Sequence, residues 1–492
     1  MSAINGTMLQ AFHWYTEGDG AHWRRLSSQA QSLAQAGFTA LWLPPAYKGI
    51  QGDKDVGYGV YDLYDLGAFP QKGTIRTKYG TEEEYLEALK SIRASGMQAY
   101  ADVVLNHRIG GDFIETVNAT PYTQNNRLIP AGAMRQIRTY THFAFPGRLG
   151  VHSGFEWRAQ HFDAVDYDEN HPTDYDEIYL LEGKQFDNQV ALEKGNFAYL
   201  MGCDLDFQNP EVRAEITRWG KWYLDVTGAD GFRLDAIKHI AAWFFPEWLD
   251  AMERHAGRDL FVVGEYWYGG LDALIWYLEA VGARMAVFDV PLHYNFHNAS
   301  RLGSRYDLRY LLYGTLMQAR PTQAVTFVEN HDSQPLQALE SCVEPWFKPL
   351  AYAFILLRAE GYPCVFAADY EGAEYEDRGR DGNTYHIGMP SHRTLIDTFL
   401  HARRNYAYGP QYDYLDHPNT IGWTRLGDQN HPKAMAVLMA GGTGGWKWME
   451  VGRRHARFID ITGHMAGPVT TNAWGWGEFT CRGGSVSVWV ED

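Results

Sequence analysis

Within "GFRLDAIKHI", residues 231–240, an arginine, an aspartate, a lysine and a histidine (Arg233, Asp235, Lys238 and His239) fall in seven residues, just after a short apolar run. Three other apolar runs end in similar residues: Asp102, Asn106 and His107 in "ADVVLNH", Glu265 in "VVGEYW", and His331 and Asp332 in "FVENHDSQ". If these runs are parallel strands of one barrel, their C-terminal ends converge on one face. Asp235, Glu265 and Asp332 then share a narrow space, where like charges raise one pKa and keep a proton on one acid near neutral pH. A carboxylate nucleophile beside a carboxyl that first protonates the leaving oxygen and then activates water is the equipment of a retaining glycosidase. Arg233, two residues before Asp235 and on the same strand face, is the expected cation that holds Asp235 ionised. A single aspartate at a strand end is ordinarily a cap or a solvated residue, but three acids beside an arginine and two histidines are not explained as caps. Metal-dependent barrel hydrolases and enolase-type lyases also gather carboxylates, so the acids alone leave the reaction class open.

What would position these groups is a (β/α)8 barrel. Strand-like runs occur at 7–12, 39–44, 97–105, 230–235, 260–265, 284–290, 324–328 and 363–367. Helical patterns lie between or after them at 23–36, 82–95, 211–226, 243–256, 272–280, 308–318, 347–359 and 393–405. Eight alternating pairs make a closed parallel barrel with right-handed crossovers the economical architecture. About a hundred residues rich in Asp, Asn, Gly and Tyr separate the third strand from the helix at 211, too long for a βα loop, and read as an inserted subdomain at the active-site face. After about 408, "TIGWTRL", "KAMAVLMA" and "GGSVSVWV" alternate with period two, the pattern of a separate antiparallel β-domain. The expected division is barrel 1–106, insertion 107–206, barrel 207–407 and β-sandwich 408–492.

Bulk properties narrow the partners. With 43 basic and 60 acidic residues the net charge is −17, and without a basic run this disfavours nucleic acid or an anionic membrane as partner. Aromatic residues make up 15 % of the chain, with 17 Trp and 31 Tyr, and flat rings with a polar edge suit sugar faces. The N-terminal "MSAINGTMLQAFHWYTEG" lacks a basic region followed by an apolar one, no transmembrane stretch is visible, and the four cysteines show no CxxC spacing. A cytoplasmic, monomeric protein with reduced thiols is the expectation.

"DVVLNH", "GFRLDAIKH", "GEYW" and "ENHD", in this order, resemble the four signature segments of the α-amylase family of glycoside hydrolases. The resemblance extends over essentially the whole chain through "QAFHWY", "LWLPPAYKG", "VGYGVYDLYDLGAF" and "VEPWFKPLAYAFILLR", and is strongest to bacterial cytoplasmic and liquefying-type members. It implies a barrel, an insertion after strand three and a C-terminal β-sandwich. It implies that Asp235 is the nucleophile, Glu265 the acid/base, and Asp332 a third acid that grips sugar hydroxyls and helps raise the pKa of Glu265. It further implies substrate contacts by Tyr58, His107, Arg233, Lys238, His239, Trp267 and His331, Tyr58 serving as a stacking platform and Lys238 and His239 facing the leaving side.

The same resemblance implies calcium (Ca2+) between insertion and barrel, held by Asn106, Asp204 and the backbone carbonyl of His239, with Asp163, Asp187 and Asp206 in a neighbouring metal cluster. In "GNFAYLMG" the family places an aspartate where this chain has Ala198, and one missing carboxylate implies weakened binding. The expected activity is retaining endo-hydrolysis of α-1,4-glucan in maltodextrins, glycogen or starch. The alternative within the family is a maltooligosaccharide-forming exo-enzyme or a transglycosylase, because acceptor choice depends on loop shape. A non-catalytic binding relative would be expected to lose Asp235 or Glu265 and to carry an anchor; a divalent-metal lyase would turn over no glucan.

Overall fold

The computed structural model describes residues 5–173 and 176–492. Eight parallel strands close into a barrel: Met8–Gln10, Ala40–Leu43, Gln98–Val103, Gly231–Leu234, Phe261–Gly264, Ala286–Phe288, Ala324–Phe327 and Tyr362–Phe366. Each pairs with its neighbours in sequence, and the first closes on the eighth through Met8 opposite Cys364. These strands are buried on both faces, which is why "ALWL" and "AVTF" read as continuous apolar runs rather than alternating ones.

All eight expected strands are present, and seven of the eight helices match. Their termini carry legible signals: Thr81 and Glu84 form a reciprocal capping box at Glu82–Ala94, and Asn209 caps Pro210–Thr227 with proline at the first helical position. The exception follows strand six. Residues 308–318, expected as a helix, form a 3₁₀ turn at Leu308–Tyr310 and a four-residue helix at Leu316–Ala319. The covering helix is Val290–Leu302, which starts two residues after the strand ends. Asp289, the single residue between them, caps this helix, its Oδ1 accepting from the Leu292 amide, so strand and helix run together as one apolar stretch in the sequence. An antiparallel hairpin, Ala373–Arg378 with Thr384–Met389, also follows strand eight, where the sequence reading had none.

The long excursion after strand three contains a four-stranded antiparallel sheet, ordered Arg135–His142, Phe113–Thr123, Glu177–Leu181 and Ala164–Val165. It leaves and rejoins the barrel side by side: His107–Arg108 pairs antiparallel with Cys203–Asp204. The C-terminal region is an antiparallel β-sandwich, a six-stranded sheet facing the two-stranded pair Gly445–Glu450 and Trp476–Cys481. Leu438, Met449, Phe479 and Trp489 fill the space between them. All four cysteines are free.

Candidate active site

Arg233 organises the strand ends. Side chains alternate along strand four, so Phe232 packs outward against Trp248 while Arg233 points into the barrel mouth. Its register sets it beside Asp102 on strand three. Nη1 donates to Asp102 Oδ1 at 2.9 Å and to Asp235 Oδ1 at 2.6 Å, and Nη2 donates to Glu265 Oε2 at 2.6 Å. The guanidinium is 0 % exposed and lies 5.0 Å from the Trp42 ring and 5.9 Å from the Tyr58 ring. Asp102 is saturated, its Oδ2 accepting from Trp42 Nε1 and Tyr58 Oη at 2.9 Å each. Immediately after Asp235, Ala236 holds φ +49°, a left-handed conformation that costs a non-glycine residue about 1 kcal/mol or more and turns the chain so that its amide faces Glu265.

One cation shared by three acids does not offset burial at any of them. Burial raises Asp235 to about 6, with Arg233 opposing and Asp102 adding to the rise. Arg233 therefore holds the expected nucleophile ionised less firmly than its position in the sequence suggested. Glu265 is raised by burial, Arg233 opposing, and the like charge contributing most is Asp235 rather than the expected Asp332. Asp332 is itself raised well above the carboxylate range, by burial and then by Glu265. The arrangement carries protons on some of these acids and charge on others at neutral pH.

Around the acids, Tyr58, Trp14 and His331 form a near-parallel trio of rings, with Tyr58 5.9 Å from Trp14 and 5.0 Å from His331, and Trp14 6.2 Å from His331. His331 Nδ1 meets Gln10 Nε2 at 2.9 Å, and its Nε2 lies 3.3 Å from Asp332 Oδ2. His107 Nε2 donates to the Tyr58 carbonyl at 2.9 Å. Burial lowers His107 to about 4 and His331 well below its usual value, so both are neutral hydrogen-bonding groups. Lys238 Nζ is held by both oxygens of Glu193 (2.9 and 3.1 Å) and by the Trp267 carbonyl (3.0 Å). His239 Nδ1 pairs with the Phe197 carbonyl at 2.6 Å. Trp267 stands apart from the other expected contacts: its indole is buried against Phe327 and His293 and donates to Tyr294 Oη, so it meets the site through its carbonyl. Asp102, read at a strand end but given no role, belongs to the site as a partner of Arg233; Trp14 and Glu193 belong to it too, and lie where the sequence shows no pattern.

The residues implied for calcium form two adjoining groups. Asn106 Nδ2 donates to Asp204 Oδ1 at 3.3 Å, and the Asp163 amide donates to the Asp204 carbonyl at 2.9 Å, joining this pair to Asp163, Asp187 and Asp206. Burial and then Asp206 and Asp187 push Asp163 up to about 9; burial lifts Asp187 to about 6 and Asp204 well above its usual range. Lys184 pairs with Asp206. Buried hard-oxygen groups in mutual repulsion suit a divalent cation by chemistry. Yet among the described residues no three His, Cys, Asp or Glu side chains already converge as one ion's shell. Ala198 is 1 % exposed and offers no side-chain oxygen.

A barrel with acids at the ends of strands four, five and seven around a buried arginine is the layout of a barrel glycosidase. Comparison with known proteins carries this further. The family profile described as "Alpha amylase, catalytic domain" matches residues 16–385. The chain is 51 % identical to "Alpha-amylase" of Geobacillus stearothermophilus, over 99 % of this chain and 87 % of that protein. It is 49 % identical to "Glucan 1,4-alpha-maltohexaosidase" of Bacillus sp. (strain 707), covering 99 % and 93 %. With "Cytoplasmic alpha-amylase" of Escherichia coli (strain K12) the identity is 43 %, covering 99 % of each chain. The solved Anoxybacillus α-amylase superposes with a TM-score of 0.64 at 16 % identity, over 99 % of this chain and 96 % of that one, a likeness of fold alone. The chain belongs to the α-amylase family of glycoside hydrolases and is an enzyme of that family.

Proposed function

We propose that this enzyme cleaves α-1,4-glucosidic bonds within maltodextrins, glycogen or starch with retention of configuration. The observation that carries the reading is the single guanidinium spanning Asp235 and Glu265 at 2.6 Å from each. Two carboxyls bridged in this way are close neighbours, as in retaining enzymes, rather than about 6.5–9.5 Å apart, which would leave room for a water in direct attack. Asp235, ionised, attacks the anomeric carbon while Glu265 donates its proton to the leaving oxygen. Glu265 then takes a proton from water, which attacks the glycosyl-Asp235 ester and returns the α-anomer. Asp332 with His107 and His331 holds the hydroxyls of the reacting sugar, Tyr58 supports its face, and Lys238 and His239 face the leaving side. Maltoheptaose digestion followed by chromatography and NMR tests this. Native protein should release α-anomeric maltooligosaccharides and Asp235→Asn none; β-anomers, or a fully active variant, would overturn it.

The relative named for maltohexaose release supports a second reading, exo-action with a defined product length. Reducing ends released per unit of iodine colour lost separate the two, a low ratio marking endo-cleavage. Calcium would be held by Asn106, Asp204 and the His239 carbonyl, with Asp163, Asp187 and Asp206 alongside. It would supply positive charge that ties the insertion to the barrel, and Ala198 weakens the hold; sub-micromolar affinity by calorimetry on chelator-treated protein would refute the weakening. Free cysteines and the relative named as cytoplasmic support a cytoplasmic location. Among the described residues no helix is long and apolar enough to cross a membrane. The division at 106/107, 206/207 and 407/408 is proposed for the domains.

A further inference from the structure

Arg233 donates to Asp102, Asp235 and Glu265, whose like charges repel the remaining strand-end acid, Asp332. The place of Asp332 must therefore come from the loop that carries it, 329–343. Inside that loop Asn330 Oδ1 accepts from the Asp332 and Ser333 amides at 3.0 and 2.9 Å, and the Leu339 and Ser341 amides donate to the Asp332 and Ser333 carbonyls at 3.2 and 3.0 Å. Glu329 closes it, its Oε1 accepting from the Val343 amide at 2.7 Å across 14 positions. Lys348 Nζ donates to Glu329 Oε2 at 2.8 Å and also to Asp369, whose Oδ2 accepts from Tyr352 Oη at 2.7 Å. Lys348 and Tyr352 share one face of the helix Lys348–Leu357, and Asp369 lies just after strand eight, so one cation ties three elements together. Glu329, Lys348 and Asp369 are 1 %, 4 % and 0 % exposed.

We propose that Glu329, Lys348 and Asp369 form a positioning triad for Asp332: the buried ammonium fixes the carboxylate that closes the 329–343 loop, and the closed loop holds Asp332 and His331 against the reacting sugar. The role given to Asp332 and His331 rests on the function proposed above. A buried ion triad adds little stability over apolar residues packed in the same volume, but an ammonium seated between two carboxylates imposes direction, and direction is what a repelled acid lacks. Burial pushes Glu329 up to about 7 even beside Lys348. Without that cation Glu329 takes up a proton, and a neutral carboxyl accepts the Val343 amide more weakly, so the loop loosens where it closes. The cost falls on the transition state more than on substrate binding, because hydrogen bonds to the sugar hydroxyls strengthen there. A buried cation just past the other end of the same helix offers the contrast. Arg358, 1 % exposed, holds Asp413 of the C-terminal sheet by two hydrogen bonds of 2.9 and 2.8 Å, away from the acids.

The test sets Lys348→Met and Glu329→Gln beside Arg358→Met, reading maltoheptaose turnover and hydrogen exchange of the peptides covering 329–343. Lys348→Met should lower kcat about 30-fold or more with KM within about threefold, and Glu329→Gln should lower kcat about fivefold with the same split. In both, exchange should quicken about tenfold within 329–343 and not across the other barrel strands. Arg358→Met should quicken exchange around Asp413 and keep kcat within about twofold. Undiminished kcat in Lys348→Met would overturn the proposal. So would exchange that quickens evenly over the barrel, or a loss of kcat in Arg358→Met equal to that in Lys348→Met, since either marks general loosening. Should Lys348→Met fail to fold, the near-isosteric Glu329→Gln decides by the same readouts. If native protein turns over no maltoheptaose, the proposed reaction falls and exchange alone decides the triad: quickening confined to 329–343 sustains it, and an unchanged loop removes it.

Discussion

Two groups of buried acids, one at the strand ends and one in the insertion, differ in one respect. At the strand ends, Asp102, Asp235 and Glu265 surround a cation the chain itself supplies, Arg233, at hydrogen-bond distance. In the insertion, Asp163, Asp187, Asp204 and Asp206 meet Lys184 and Arg127, but among the described residues no central side-chain cation. The first group is balanced enough to be permanent, and its residual imbalance appears as raised pKa values on Asp235 and Glu265. The second is built so that an outside charge completes it. A protein-borne cation fixes geometry; a borrowed one makes the fold answer to its surroundings.

The comparison breaks most visibly at Arg233. Arg233→Met leaves three acids without their common partner, and we expect about 3–5 kcal/mol less stability in denaturant unfolding, with turnover of maltoheptaose reduced at least ~10³-fold. A stable, active variant would mean the guanidinium does not organise the site. For the insertion, the raised pKa of Asp163, about 9 folded against 3.8, fixes the sign: the contribution is favourable at low pH and is lost as pH rises through about 4 to 9. Melting temperatures in chelator should fall across that window, Asp163→Asn should flatten the fall, and added calcium should reverse it. A pH-independent melting temperature would show that the acids are not in mutual repulsion. A finer effect concerns Asp235. Its ionised form is the proposed nucleophile and its pKa is about 6, so kcat/KM should drop toward tenfold per unit as pH falls below about 6. An acid limb nearer 4 would mean Arg233 outweighs burial after all. Smallest is Tyr58→Phe, which removes one donor to Asp102 and should cost about 1 kcal/mol in unfolding, with the stacked ring retained.

Strand-end acids were legible because each terminates an apolar run whose length and flanks mark a buried parallel strand; Asp235, Glu265 and Asp332 needed no more than that. Side chains supplied by loops were not. Glu193, which holds Lys238, and Trp14, which stacks on Tyr58, lie where no periodicity operates. Trp267 shows the converse, a residue two positions after Glu265 whose ring the core claims. Val290–Leu302 was hidden because its cap, Asp289, sits inside what reads as one continuous apolar segment. The pKa order among the acids was also beyond the sequence, since it depends on how one guanidinium divides its hydrogen bonds.

Strands three and four must pair although Asp102 and Arg233 are 131 positions apart. The two-residue ladder of His107–Arg108 with Cys203–Asp204 changes what that separation means for a folding chain. Once it forms, the excursion is pinched off and its ends emerge side by side, so the remaining search is that of a short connection. Because closure entropy grows only as the logarithm of loop length, the gain lies less in stability than in the speed and order of assembly. Material inserted beyond that pinch could lengthen, shorten or be exchanged with little effect on when the barrel closes.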